Sequence, residues 1–189
     1  MVADISQGGC SVCYMSWRIL TYRLTGDQSR DRVAVWRELR RVGAVALQSA
    51  TWAIPAGDRF DEGIERAVSL VRRSGGQALC FDVSASEDTL AALEALFTAE
   101  REAEWVEFCA ECDKAEAELT SEIDKQKFTL AELDEEEHNV DRLRRWYRDL
   151  RAKDVFGTPG ASQGERRLKD CTQMLEAFAE RVYQARGRP

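Results

Sequence analysis

The pattern of this 189-residue chain predicts an α+β protein, in which a small antiparallel sheet with helices is followed by an all-helical unit. Three observations predict it. Up to about residue 85, short apolar runs of period 2 are interleaved with stretches of period 3.6, whereas only the helical period persists beyond. The charge changes at the same place: residues 1–85 hold 11 Arg, no Lys and 9 acidic residues, for +2, and residues 86–189 sum to −9. Lastly, 44% hydrophobic and 32% charged residues with 12 Gly and 3 Pro describe a folded, helix-rich chain. The expected domains are 15–85 and 86–186. Residues 1–14 precede the patterned sequence and read as an extension or a misplaced start.

The elements follow in order. "WRILTYRL", residues 17–24, alternates like a strand, with Trp17, Ile19, Thr21 and Arg23 on one side. Ser29 is an N-cap residue for a helix through Val42, and Gly43 stands where a helix end wants positive φ. "AVALQ" and "ATWAIP" read as a hairpin. Asp58 to Arg73 is a second helix, with Phe60, Ile64, Ala67, Leu70 and Val71 on one face and Gly75 and Gly76 closing it; "ALCFDV" is a fourth strand. The order βαββαβ is ferredoxin-like, a two-layer sandwich. From Ser86 a helical pattern runs for about forty residues. A break at Lys127 to Thr129 opens another helix, carrying Leu133, Val140, Leu143, Tyr147 and Leu150. "FGTPGASQG", residues 156–164, has the composition of a loop, and Leu168, Cys171, Leu175, Phe178 and Val182 then repeat in steps of 3 and 4. Three helices with inward apolar stripes make an antiparallel α-helical bundle.

Six cysteines include "CSVC" at Cys10 and Cys13 and "CAEC" at Cys109 and Cys112, a spacing that imitates a four-cysteine zinc site. Cys112 lies in the apolar stripe Phe108, Cys112, Ala115, Leu119, and Cys80 and Cys171 also fall on core positions, so these cysteines read as small buried hydrophobes and no metal is expected. The one histidine, His138, sits in the charged run "LDEEEHN"; with no Gly-rich phosphate loop and no nucleophile beside a base, no catalytic residue and no enzyme activity are expected. Small ferredoxin-like nucleases of the CRISPR-adaptation type carry a metal-binding aspartate at the end of the first strand, where this chain has Tyr22 and Arg23. A cation there repels a divalent metal. No window reaches the roughly 18 consecutive apolar residues of a membrane span, and no basic stretch followed by an apolar core opens the chain, so a cytoplasmic location is expected without a membrane partner.

Every cation before Lys114 is an arginine, whose planar fork suits bidentate contact with phosphate or carboxylate. On the first helix, Val35, Trp36, Leu39 and Val42 cluster on one side, and Arg30, Arg37 and Arg41 form a stripe opposite. The stripe is roughly 16 Å long at 1.5 Å rise per residue and matches several phosphates. "RLRRWYRDLRAKD" sets Arg144, Arg148 and Arg151 on one helix face beside Trp146. Spacing alone leaves three fates for both clusters: phosphate contact, pairing with the acidic half of the chain, or solvation.

From Trp17 to about Tyr183 the sequence resembles the chromate-resistance protein ChrB family, specifically its N-terminal domain. The resemblance rests on "RVAVWRELRRVGAVALQSATWAIP", "SGGQA", "ALFTAEREAEWVEF", "KFTLAELDEEEHNVDRLRRWYRDLRAKDVFG" and "FAERVY". It implies a transcriptional regulator that binds double-stranded DNA at the promoter of a chromate-efflux operon and responds to the chromate oxyanion, without turnover. Under that reading Arg30, Arg37, Arg41, Arg144 and Arg148 are the nucleic-acid-binding residues, and the apolar helical seams suggest a homodimer. The competing expectation is an interaction module that pairs with a separate chromate-sensing chain, and a metal-dependent nuclease stands further off.

Overall fold

The computed structural model describes residues 16–25 and 29–187. The chain divides between Ser86 and Glu87 into two compact units. The first runs β1 (Trp17–Arg23), α1 (Ser29–Val42), β2 (Val45–Gln48), β3 (Thr51–Pro55), α2 (Asp58–Arg73) and β4 (Gln77–Val83). The strands form one sheet in the order β2-β3-β1-β4, with every neighbour antiparallel. The register pairs Leu20 with Trp52 on one side and with Cys80 on the other. Arg18 reaches Asp61 of α2 and, at 3.2 Å, Asp82 of β4, so α2 covers the face of β1 that carries Arg18, Leu20 and Tyr22. The two helices pack on each other where Gly63 has no side chain, since a Cβ there would lie 2.2 Å from Val42 Cγ2. Gly43 takes φ 90 and ends α1, and the non-glycine Ala50 takes φ 58 in the tight turn between β2 and β3. A left-handed alanine costs about 1–2 kcal/mol; its carbonyl accepts from the Tyr22 N–H at 3.0 Å, which holds the turn against β1.

The second unit comprises α3 (Glu87–Asp124), α4 (Leu130–Lys153) and α5 (Pro159–Arg186). Lys153 bonds Glu104 at 3.1 Å and Arg142 bonds Glu111 at 3.5 Å, so α4 runs back along α3. Gly160 meets Glu102 and Cys171 meets Cys112, which sets α5 alongside α3 in the same direction. Thr129 starts α4 by accepting from the Glu132 N–H at 3.3 Å, the T-x-x-E arrangement that satisfies a free N–H of the first turn. The shared core contains Trp105, Phe108, Cys112, Leu119, Leu143, Cys171 and Phe178. The seam from Cys171 to Val182 is buried inside this unit, so its spacing is explained without a second copy.

Three expectations require correction. Residues 159–164 of "FGTPGASQG" are helix, because Pro159 takes the first helical position and Gly160 and Gly164 let α5 close onto Trp105: a Cβ on either would come within 2.6 Å or 2.7 Å of that side chain. Trp36 is half exposed instead of buried with Val35 and Leu39. It lies at the margin of the buried arc, and small Ala46 lines the same open crevice. Cys80 is exposed, since it lies on β4, an outermost strand of the sheet, whereas Cys109, Cys112 and Cys171 are buried. Cys10 and Cys13 lie outside the described residues.

Candidate nucleic-acid interface

Helix α1 owes its orientation to three buried side chains, Val35, Leu39 and Val42. Asp31 in its first turn and Arg40 and Arg41 in its last complement the helix dipole. With the apolar face fixed, Arg30, Arg37 and Arg41 stand on the solvent side, and all three are exposed. Their electrostatic situations differ. Arg30 and Arg37 make no ion pair among the described residues. Arg41 donates to both oxygens of Glu38, at 2.9 and 2.6 Å.

Glu38 also accepts from Arg66 of α2 at 2.8 Å, and its side chain is only 13% exposed. Donation from Arg41, then from Arg66, outweighs partial burial and holds the Glu38 carboxyl below the usual carboxylate range. The carboxylate therefore joins the helices and neutralises one member of the stripe. The Glu-x-x-Arg spacing of Glu38 and Arg41 is a sequence signal for this pair; the third partner, 28 residues away, carries no such signal.

On α4, Leu133, Val140, Leu143 and Leu150 turn inward. Arg148 is exposed without an ion pair among the described residues, while Arg144 is half-buried and bonds Asp141 at 2.8 Å. Trp146 lies edge-on against Phe108, with ring centroids 5.5 Å apart. Its ring is tied to the helical core and is no free stacking platform. The cations of α4 crowd its C-terminal half and the acids its N-terminal half, an arrangement that also favours the helix dipole. The three exposed, unpaired guanidinium groups are thus Arg30, Arg37 and Arg148 from the five expected residues, divided between the two units.

His138, on the exposed side of α4, sits with Nδ1 2.6 Å from the Asp134 carbonyl oxygen, and that contact first, then the Asp134 charge, raises its pKa. No group of three or more metal-ligating side chains converges among the described residues. Among these residues no helix is long and apolar enough to cross a membrane.

A family model described as "Protein ChrB, N-terminal" matches residues 32–189. The chain belongs to the ChrB N-terminal family. The ChrB match begins in the first turns of α1, so it includes Arg37, Arg41, Arg144 and Arg148 and leaves Arg30 and β1 outside. No curated protein matches the chain.

Proposed function

We propose that the chain is a DNA-binding regulator associated with chromate resistance, and that it contacts the phosphate backbone through Arg30 and Arg37 of α1, with Arg41 and the α4 residues Arg144 and Arg148 contributing. Membership of the ChrB N-terminal family supports the association. The observation that carries the DNA reading is a solvent-facing pair of guanidinium groups, Arg30 and Arg37, held opposite a buried apolar face and unpaired among the described residues. Such groups release counterions from DNA without first breaking a protein ion pair. No turnover is part of the proposal: His138 is on a solvated helix face, and Tyr22 and Arg23 occupy the strand end where a nuclease would hold a metal.

The pairing of Arg41 with Glu38 and of Arg144 with Asp141 favours a second reading, an interaction module that joins a separate sensor chain. A promoter-fragment binding assay, with and without chromate, separates the two. Log affinity falls linearly with log salt at about −0.9 per neutralised phosphate, so Arg37→Ala weakens binding and flattens the slope by roughly one unit. Unchanged affinity and slope in a folded Arg30→Ala, Arg37→Ala, Arg41→Ala variant would leave the module as the better account.

For the architecture we infer the ferredoxin-like fold in the first unit, supported by its element order and the strand order β2-β3-β1-β4, and an antiparallel three-helix bundle in the second, supported by α4 running against α3 and α5.

A further inference from the structure

The largest chemical asymmetry of the first unit is not the arginine stripe but a crevice beside it. The space, about 670 Å³, opens between α1 and the sheet, and its walls include Tyr22, Arg23, Val33, Trp36, Gln48 and Trp52. That volume falls within the range of organic-ligand pockets and far exceeds what a single tetrahedral oxyanion fills. Three aromatic side chains meet there. Trp36 is 50% exposed, although an indole of its size ordinarily lies against other apolar groups. Trp52 is only 4% exposed, yet its ring nitrogen is buried with no hydrogen-bond acceptor. The Tyr22 hydroxyl faces the indole but does not meet hydrogen-bond geometry with it. An unsatisfied buried N–H costs about 1–3 kcal/mol, so an acceptor brought to it is strongly favoured. Arg23 stands exposed at the rim, without an ion pair among the described residues.

We propose that this crevice binds a small planar organic anion, such as an aromatic carboxylate, with its ring against Trp36, one oxygen accepting from the Trp52 N–H and its charge facing Arg23. Each part of the ligand answers a separate feature. A flat apolar body covers the exposed indole, an acceptor satisfies the buried donor, and a negative charge meets the unpaired guanidinium. On α1 the crevice wall, Val33 and Trp36, is adjacent to the Arg37 stripe, so the site belongs to the same helix as the proposed DNA contacts without depending on them.

The test uses the full chain without DNA, and follows tryptophan indole N–H resonances by nitrogen-correlated NMR during titration with 2-naphthoate. Trp52→Phe assigns the Trp52 signal by its disappearance. We expect a saturable downfield shift of the Trp52 N–H and no movement of the Trp105 N–H, which already has an acceptor. Trp36→Ala and Arg23→Gln both alter exposed positions, and each weakens naphthoate binding roughly five- to tenfold, the equivalent of about 1 to 1.4 kcal/mol. The neutral amide of the same ring binds more weakly than the acid. An unmoved Trp52 signal, or binding indifferent to both substitutions, overturns the site. Sulfate shifting Trp52 as effectively as naphthoate overturns the planar organic ligand in favour of an inorganic oxyanion.

Discussion

Trp105 and Trp52 are both buried, one in each unit, and their indole N–H groups meet opposite fates. Trp105 donates to Asp154 Oδ2 at 2.9 Å; Trp52 donates to nothing. The same aspartate accepts from the backbone N–H groups of Gly157 and Thr158, at 3.0 and 3.1 Å, and from the Thr158 hydroxyl at 2.7 Å. The carboxylate thereby fixes the turn into α5 and the central ring of the helical core together. The difference teaches where each unit has spent its polar groups. Around Trp105 the helical unit satisfies its donors internally, whereas the sheet unit holds a donor, an aromatic face and several guanidinium groups open to an outside partner.

Breaking the closed side of this comparison has the largest expected effect. Asp154→Ala leaves the Trp105 N–H and the Thr158 donors without their acceptor, at a cost of about 3 kcal/mol. Chemical denaturation followed by tryptophan fluorescence checks it. A loss within 0.5 kcal/mol of zero would mean that water replaces the carboxylate, and that Trp105 and Trp52 are not opposites.

Much of the framework was legible because it rests on periodicity. The limits of α1 and α2, the hairpin, the fourth strand and the three long helices all follow from where apolar residues recur and where Ser29, Gly43 and Thr129 punctuate them. The failures have a common cause: composition records a residue's habit, not its neighbour. Glycines at 160 and 164 look like loop residues until the Trp105 ring they accommodate is in place. Trp36 looks like core because nothing in the sequence says that the wall beside it is Ala46. Of the candidate site, the stripe was visible as a helical face, but the state of each arginine was not, since Arg41 is decided by a carboxylate shared with Arg66 of another helix. Trp52 was read only as part of a hairpin strand, and an unsatisfied indole nitrogen leaves no trace in a sequence.

The glycine contact sharpens the comparison at intermediate size. Gly164→Ala gains up to about 1 kcal/mol of helix propensity, but its Cβ would sit 2.7 and 2.8 Å from two ring atoms of Trp105. An aromatic ring cannot retreat as a flexible chain end does, and overpacking of this kind costs about 1–3 kcal/mol. The expected net is a loss of about 1–2 kcal/mol in denaturant unfolding, with a changed near-ultraviolet tryptophan signal. A stabilised Gly164→Ala would show that α5 does not depend on close approach to Trp105.

The smallest effect is expected where the sheet unit has closed one of its own charges, at Glu38. Its carboxyl is held below the ordinary value of 4.5 by Arg41 and then Arg66, so its contribution is present above that value and is lost as pH falls through the lowered native one. Both arginines are more than one-third exposed, which limits the contribution to about 0.5–1 kcal/mol at neutral pH. Glu38→Gln therefore destabilises slightly at pH 7, and the difference from the parent chain narrows when denaturation is repeated below pH 4.5. The same substitution frees Arg41 to join Arg30 and Arg37. If the stripe meets phosphate, DNA affinity rises about two- to fivefold while stability falls, and the salt slope steepens by up to one unit. Opposite signs in the two measurements are the signature of an arginine diverted from DNA by its own helix. Should stability and affinity fall together, Glu38 orients the stripe instead of competing for it, and Arg41 belongs with the paired, structural charges of the molecule.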